Sequence, residues 1–231
     1  MIQTSAATFD VGGVLLERPF KIRRLGHFGL NALRLEDCLR FYTEDVGLRI
    51  SDRRDMAERI ENKADIASFG DPGGYFLRHG TDHHSFVLFN RRVREYADTL
   101  RRFAPGVVIN QISWQVGSLA EVDNGRAWLG EEGMTIQRSG RDMPGSNWHT
   151  YFYDPDGHTN ELYYGMEQIG WDARSKPVSM WDRVMREKPS LPQIPEDAEV
   201  RADAARGVDI DSGSANRDAL PDATYDVEGI M

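Results

Sequence analysis

The chain has 231 residues, of which 40% are hydrophobic and 28% charged, as in a soluble globular protein with one large or two small domains. Its formal net charge of −9 argues against a nucleic-acid-binding surface, which needs clustered Lys and Arg. The apolar runs are far shorter than the roughly 20 residues of a membrane span, and the N-terminus lacks the pattern of a secretion signal. One cysteine allows no internal disulfide, so we expect a cytoplasmic protein that binds neither nucleic acid nor membrane.

The chain up to residue 22 is predicted to be a lead-in with one edge strand over residues 8–16, which Arg18-Pro19 ends. A regular pattern begins at Arg24. It predicts a strand over residues 24–31, a helix over residues 35–46, and strands over residues 48–52, 74–78 and 85–89. A charged helix over residues 91–103 follows, and Pro105-Gly106 ends it.

The same order of elements then repeats, with a period of about 85 residues. The pattern predicts a strand over residues 108–116, a helix over residues 119–129, and strands over residues 134–137, 150–153 and 160–164. One strand-helix-strand-strand-strand unit leaves an apolar sheet face uncovered, and pairing two units closes the core. We therefore predict an α+β fold of paired βαβββ modules, at about residues 23–90 and 108–165, which form a curved mixed-sheet half-barrel within one domain over residues 23–170.

The composition changes after about residue 171. Residues 179–186 could form a short helix, and from Pro189 onward the chain is rich in Pro, Asp, Ala and Gly. We predict that residues 171–231 form a C-terminal arm that is partly extended or disordered and has no core of its own.

Two residues that often bind metals lie in the middle of predicted strands. His27 is in the first strand of the first module, and Glu161 is in the last strand of the second. A Glu within an apolar strand is costly to bury unless it is paired or binds a cation. The alternation of side chains leaves a second interpretation open, in which Glu161 faces solvent and Leu162 and Tyr164 are buried.

Three stretches of the chain together resemble a known family. They are Arg24-Leu25-Gly26-His27-Phe28, Asp82-His83-His84-Ser85-Phe86 and Tyr151-Phe152-Tyr153-Asp154-Pro155-Asp156-Gly157-His158-Thr159-Asn160-Glu161. Their order and spacing resemble the catalytic domain of type I extradiol ring-cleaving dioxygenases, which belong to the vicinal-oxygen-chelate superfamily. The resemblance covers about residues 18–165 and implies the fold of that superfamily.

The resemblance also implies a set of site residues. In the family, two histidines and one glutamate hold iron(II) on one side and leave the other side open to a catecholate and O2. Carried over residue by residue, it implies His27 and Glu161 as metal ligands, His84 as the catalytic acid/base, and Tyr151 as a hydrogen-bond donor near the substrate. His83 is expected to be structural, since neighbouring strand residues face opposite ways.

The chain departs from the family at the second histidine ligand, where it has Gln111. A carboxamide is a weaker ligand for iron(II) than an imidazole, although a glutamine is a metal ligand in the related glyoxalase I. The family's active-site histidine before the last hairpin is also replaced, with Asp142 near its position. We expect Asn147 or His149 to substitute for it in part, and Trp114 to form part of the pocket.

The sequence thus predicts a metal-dependent extradiol-type dioxygenase that acts with O2 on a catechol-like or related aromatic compound. Fe(2+) is the expected metal, and Mn(2+) or another divalent ion is the alternative. Gln111 also favours a second interpretation, a lyase, isomerase or hydrolase that uses the metal as a Lewis acid. A non-catalytic small-molecule-binding relative is the third. We further expect a homo-oligomer, and solvated faces at Arg53-Arg54 and Arg91-Arg92.

Overall fold

The fold is that of a computed structural model. It describes residues 8–97, 106, 108–141, 145, 147–167, 169 and 175. Apart from Ser175, the described residues do not reach into the predicted C-terminal arm, so that arm and the domain boundary near residue 170 stay predictions. Asp142 and the end of the helix predicted over residues 91–103 also lie outside the described residues.

The strands and helices follow the predicted order closely. The strands are β1 (Phe9–Val11), β2 (Val14–Leu16), β3 (Arg24–Ala32), β4 (Arg49–Asp55), β5 (Gly73–Arg78), β6 (Phe86–Asn90), β7 (Ile109–Gln115), β8 (Ile136–Arg141), β9 (Trp148–Tyr153) and β10 (Thr159–Tyr164). The helices are α1 (Leu35–Arg40), which continues as a π-helical turn over Phe41–Asp45, α2 (Arg91–Ala97) and α3 (Leu119–Glu131), with 3₁₀ segments at Met56–Arg59 and Lys63–Phe69. No helix in the described part of the chain is long and apolar enough to cross a membrane.

Eight strands form one mixed sheet in the order β4-β5-β6-β3-β7-β10-β9-β8. The first strands of the two modules, β3 and β7, pair antiparallel at its centre. In each module the first strand pairs in parallel with the last, β3 with β6 and β7 with β10. The two halves of the sheet therefore have the same connectivity, and the sheet does not close. This confirms the predicted α+β fold of paired βαβββ modules.

Helix α3 covers the second half of the sheet. It begins at Leu119 because the Ser118 hydroxyl accepts a hydrogen bond from the backbone N–H of Glu121 at 3.1 Å. Gly125 allows the close approach of helix and sheet, since a Cβ at this position would lie 2.7 Å from Leu162 Cδ1. The helix buries Val122 completely in the core of this half.

The N-terminal lead-in is a hairpin and not the single strand predicted over residues 8–16. β1 and β2 pair antiparallel and form a separate two-stranded sheet. The turn between them contains Gly12 and Gly13, with φ of 61° and 83°. Glycine adopts positive φ at little cost, so this pair reverses the chain in the middle of the predicted strand.

A segment between β4 and β5 for which the sequence predicts no helix or strand carries part of the first-module core. Its 3₁₀ segments bury Met56, Ala57 and Ile66, which pack with Val87 and Phe89 of β6. The apolar residues here follow neither the strand period nor the α-helical period, so periodicity gave no signal. The segment matters for function because Met56 reaches the cavity described below.

Candidate metal and substrate site

A row of three residues crosses the central strands of the sheet. His27 of β3 is in register with Ser113 of β7, which is in register with Glu161 of β10. Residues in register point to the same face of a sheet, so these side chains meet although they are far apart in the sequence. Gln111 lies two residues before Ser113 on β7 and faces the same side.

Glu161 is fully buried, at 0% exposure, and accepts hydrogen bonds on both carboxylate oxygens. Its Oε2 lies 3.0 Å from His27 Nε2 and 3.2 Å from Gln111 Nε2, and it also accepts a hydrogen bond from the Ser113 hydroxyl. Its Oε1 accepts a hydrogen bond from Asn147 Nδ2 at 2.8 Å. The interpretation in which Glu161 faces solvent is therefore wrong.

Glu161 remains ionised despite its burial. Burial by itself raises the pKa of this carboxyl, but the charge and hydrogen bond of His27 outweigh that effect, with further contributions from His149 and Ser113. The net result is a pKa below the usual range for a glutamate. An ionised carboxylate is the form that binds a metal ion.

The donor atoms around Glu161 fit a divalent metal ion. Two ligands at right angles, each about 2.1 Å from an ion, lie about 3 Å apart, close to the 3.0 Å between His27 Nε2 and Glu161 Oε2. A half-turn of the Gln111 carboxamide would bring Oε1 to the place of Nε2, 3.2 Å from the same oxygen. Among the described residues, no group of three or more His, Cys, Asp or Glu side chains could hold a metal ion. An ion held by His27 and Glu161 would therefore need a further ligand of another type, and the carboxamide oxygen of Gln111 is a donor of that kind.

The orientation of His27 depends on ring packing and on the glycine before it. Its ring lies 4.5 Å from the ring of His84 and 4.9 Å from that of Tyr163. Gly26 lies at a register shift between Leu25 and His27, and a Cβ there would collide with the Tyr163 ring. The glycine in the stretch Leu25-Gly26-His27 is therefore needed for the sheet to place the imidazole beside Glu161.

His84 lies next to His27 and is held by a chain of polar contacts. Its Nδ1 lies 2.9 Å from His83 Nδ1, and His83 Nε2 lies 3.0 Å from the Ser175 hydroxyl. The Ser175 hydroxyl donates to Glu167 at 3.2 Å, so it accepts a hydrogen bond from His83 Nε2–H. His83 Nδ1 then accepts from His84 Nδ1–H, which leaves Nε2 of His84 as a proton acceptor.

Burial lowers the pKa of His84 well below its usual value, and the neighbouring His27 and His83 lower it further. The imidazole is therefore neutral near pH 7. A neutral ring with one unprotonated nitrogen can act as a base. The contacts of His83 agree with the structural role expected for it.

Tyr151 lies on β9 in register with Glu161. Its ring is 4.5 Å from the ring of His149 and 4.4 Å from the guanidinium carbon of Arg138. Arg138 Nη1 lies 3.0 Å from His149 Nε2, and His149 Nδ1 lies 3.8 Å from Glu161 Oε1. His149, which is fully buried, is thus a neighbour of the carboxylate, whereas Tyr151 lines the cavity.

A cavity of about 90 Å³ opens over His27 and Gln111. Its polar side chains are His27, His84, Asn110, Gln111, Asn147 and Tyr151, its apolar ones are Met56, Phe76, Val87 and Phe89, and its charged ones are Arg54, Arg94 and Arg138. The structure thus brings together His27, His84, Gln111, Asn147 and Tyr151 from the predicted site, with Glu161 in hydrogen-bond contact with three of them. A concave site with apolar walls and a few converging polar groups is typical of small-molecule binding.

The structure places Trp114 away from this cavity, contrary to the prediction. Trp114 is one residue from Ser113 and therefore faces the other side of the sheet, where it packs against the second-module core. Its indole N–H donates to Asn160 Oδ1 at 2.9 Å. Asp142, the other pocket residue in question, lies outside the described residues.

Sequence reasoning missed Ser113 and the three arginines of the cavity. Ser113 could have been found, because it lies two residues after Gln111 on the same strand and must share its face. The sequence predicts that Arg53 and Arg54 both lie on a solvated face. Only Arg53 is exposed, and Arg54 is half-buried and lines the cavity.

Several proteins of known family are similar to this chain. A curated relative, metapyrocatechase 2 of Cupriavidus necator, is 29% identical over 148 residues, which cover 64% of this chain and 38% of the relative. The Mn(II)-bound glyoxalase of Novosphingobium aromaticivorans is 22% identical with a TM-score of 0.52, covering 74% of this chain and 48% of that protein. The 2,2′,3-trihydroxybiphenyl 1,2-dioxygenase of Sphingomonas wittichii strain RW1 is 19% identical with a TM-score of 0.45, covering 74% of this chain and 49% of that protein.

This chain therefore spans half or less of the length of each of these proteins. At such low identity, the similarity to the glyoxalase shows a shared fold. The family model for the Glyoxalase/Bleomycin resistance protein/Dioxygenase superfamily matches residues 24–162, from the start of β3 to β10. Because this match covers more than half of the chain, the protein belongs to that superfamily.

Proposed function

We propose that this protein is a metal-dependent extradiol-type dioxygenase that binds one divalent ion through His27, Gln111 and Glu161 and acts with O2 on a catechol-like aromatic compound. The observation that carries the proposal is that the His27 and Gln111 side chains both lie against one buried carboxylate oxygen of Glu161, at 3.0 and 3.2 Å. Membership of the superfamily and the similarity to metapyrocatechase 2 support it. One imidazole and two oxygen donors suit Fe(2+) or Mn(2+).

When bound, a ferrous ion would supply Lewis acidity to adjacent substrate oxygens and redox chemistry toward O2. The Glu161 carboxylate would be one of the ligands of such an ion. Ser113 and Asn147 each donate to a different oxygen of Glu161, which fixes the plane of the carboxylate. Hydrogen bonds of this kind orient ligands and maintain metal affinity.

His84 is the residue that takes a proton from the substrate in this proposal. Its Nδ1 is engaged by His83, so Nε2 is the ring nitrogen that accepts a catechol hydroxyl proton. Tyr151 lines the same cavity and donates a hydrogen bond to a substrate oxygen. The side chains of Phe76 and Val87 exclude water from the ring of the substrate.

Metal content tests the first part of the proposal. The protein is loaded anaerobically with Fe(2+), desalted and submitted to elemental analysis, with His27→Ala as the test variant and His79→Ala as the matched control, since His79 is exposed. We expect about one metal per subunit in the parent and control, and a large loss in His27→Ala. Folded parent protein without metal would overturn the proposal.

Oxygen uptake tests the second part. We expect the iron-loaded parent to consume O2 with a catechol and to form a ring-cleaved product. Gln111 supports a second candidate, Lewis-acid chemistry by a lyase, isomerase or hydrolase, because a carboxamide favours iron redox chemistry less than an imidazole does. Metal-dependent turnover without O2 uptake would favour that candidate.

A further inference from the structure

The end of the cavity away from His27 carries positive charge from β4. Arg54 belongs to a row of residues that are in register across four neighbouring strands. From Arg54 the row continues through Gly74 of β5 and Phe89 of β6 to Asn31 of β3. Asn31 is four residues after His27, so it faces the same side of the sheet. At about 3.3 Å per residue, the backbone of the Arg54 row lies about 13 Å along the strands from that of His27.

A second arginine reaches the same end from helix α2. The guanidinium carbon of Arg94 lies 4.9 Å from the centre of the Phe89 ring. Val93, the neighbour of Arg94, is almost fully buried in the first-module core and anchors the helix there. Arg94 and Arg54 thus come from different elements, and both line the cavity on the side of Phe89.

The third arginine belongs to the opposite end. Arg138 lies against the Tyr151 ring and hydrogen-bonds to His149, which is next to Glu161. The cavity therefore has a metal-binding end with one arginine and a distal end with two. Between them lie Phe76 and Val87, which are apolar.

The charged side chains that line the cavity are all cationic. Whatever else each arginine contacts, the described lining residues include three guanidinium groups and no Asp or Glu. Like charges around a confined space repel one another and attract an anion. A guanidinium presents paired N–H donors that match the two oxygens of a carboxylate.

We infer that the substrate is an aromatic acid whose carboxylate is bound by Arg54 and Arg94. Its ring lies against Phe76 and Val87, and its two adjacent hydroxyl oxygens lie at the His27 and Glu161 end. The placement of the hydroxyl oxygens rests on the proposed function. The placement of the carboxylate rests on the two arginines alone. Arg54 and Arg94 then decide specificity, and neutral catechols bind weakly.

The test compares an acid with its uncharged counterpart. The probes are 3,4-dihydroxyphenylacetate and its methyl ester, and Kd is measured by anaerobic titration calorimetry with the Fe(2+)-loaded protein. We expect the acid to bind about 10- to 100-fold more tightly than the ester, as is typical of a charge-assisted guanidinium pair. The preference should shrink as salt is raised. Equal affinity of the parent for acid and ester would overturn the inference.

Matched variants assign the effect to the two arginines. Arg54→Gln and Arg94→Gln should each lower the affinity for the acid by about tenfold or more and leave that for the ester almost unchanged. The controls are Arg53→Gln, on the exposed face of β4, and Arg91→Gln, which lies on α2 and pairs with Glu95. Both controls should keep the acid preference, because they change net charge without changing the cavity. A preference that survives in both test variants would contradict the assignment.

A comparison of an acid and an uncharged analogue that both lack the catechol hydroxyl groups tests this inference separately from the proposed function. Phenylacetate and phenylacetamide are titrated into protein treated with a chelator. A preference for phenylacetate that Arg54→Gln removes would support the carboxylate site even if the protein binds no metal. Tight metal-dependent binding of catechols without any preference for acids would leave the proposed function standing and reject the carboxylate site.

Discussion

His27 Nε2 lies 3.0 Å from Glu161 Oε2, although one residue is in the first strand of the first module and the other in the last strand of the second. The contact exists because β7 lies between β3 and β10, with Ser113 in register with both residues. The pairing of the two modules therefore creates the site. A single module would supply only part of the donor set.

Replacing Gln111 by histidine should strengthen metal binding. An imidazole is a better ligand for Fe(2+) than a carboxamide, and residue 111 is next to Glu161 Oε2. We expect the Kd for Fe(2+), measured by chelator competition, to fall about tenfold or more in Gln111→His. Gln137→His is the control, because Gln137 bonds to the Tyr153 hydroxyl instead. Weaker metal retention in Gln111→His would show that residue 111 does not face the ion.

Removing the Ser113 hydroxyl should lower the affinity for the metal more than it lowers the stability of the fold. Ser113→Ala deletes a hydrogen bond to Glu161 Oε2, and loss of such a partner lowers metal affinity about 10- to 100-fold. Its cost in unfolding free energy should be about 1 kcal/mol. Ser139→Ala is a matched control, since Ser139 is also buried but bonds to Thr150. Equal metal affinity of the two variants would argue against the role of Ser113.

His83 should affect catalysis through His84. In His83→Ala the partner of His84 Nδ1 is lost, so the ring is no longer held with Nε2 unprotonated. We expect kcat to fall about tenfold or more, with KM and metal content nearly unchanged. Nitrogen NMR of labelled histidine should show a mixture of His84 tautomers in the variant and one tautomer in the parent. The outcome that contradicts this is a single unchanged tautomer in the variant.

A carboxylate that does not line the cavity should make stability depend on pH. Burial raises the pKa of Asp71, but hydrogen bonds from Tyr75 and Arg53 and from the Gly73 N–H outweigh it, so the pKa is lowered. A lowered carboxyl pKa contributes stability above the unfolded value near 3.8, and this contribution is lost as pH falls through the folded pKa.

Asp71→Asn should therefore cost about 1 kcal/mol or less near pH 7, since Arg53 is partly exposed. The difference in unfolding free energy from the parent should vanish as the pH falls below 3.8. Urea denaturation at a series of pH values measures this. A difference that stays constant over the series would mean that ionisation of Asp71 does not stabilise the fold.

The sequence alone predicted the paired modules and six of the side chains that the structure brings together, namely His27, His84, Gln111, Asn147, Tyr151 and Glu161. Alternation in β3, β7 and β10 and the repeat of element order predicted the paired architecture, which the sheet confirms. The motif around His27 and the hairpin that ends at Glu161 pointed to metal chemistry. These features are local, because strand period and turn chemistry depend on neighbouring residues. The homo-oligomer and the cytoplasmic location stay predictions.

Only the tertiary structure decided which residues share the cavity. Alternation shows that Arg53 and Arg54 face opposite sides of β4, but it does not show which side lies under the cavity. That depends on the register of β4 with β5 and β6, which brings Arg54 into the row of Phe89. Register is a relationship between distant segments, and one sequence carries no direct record of it. The physical reason that His27 meets Glu161 and that Arg54 lines the same space is thus the pairing of strands across the sheet.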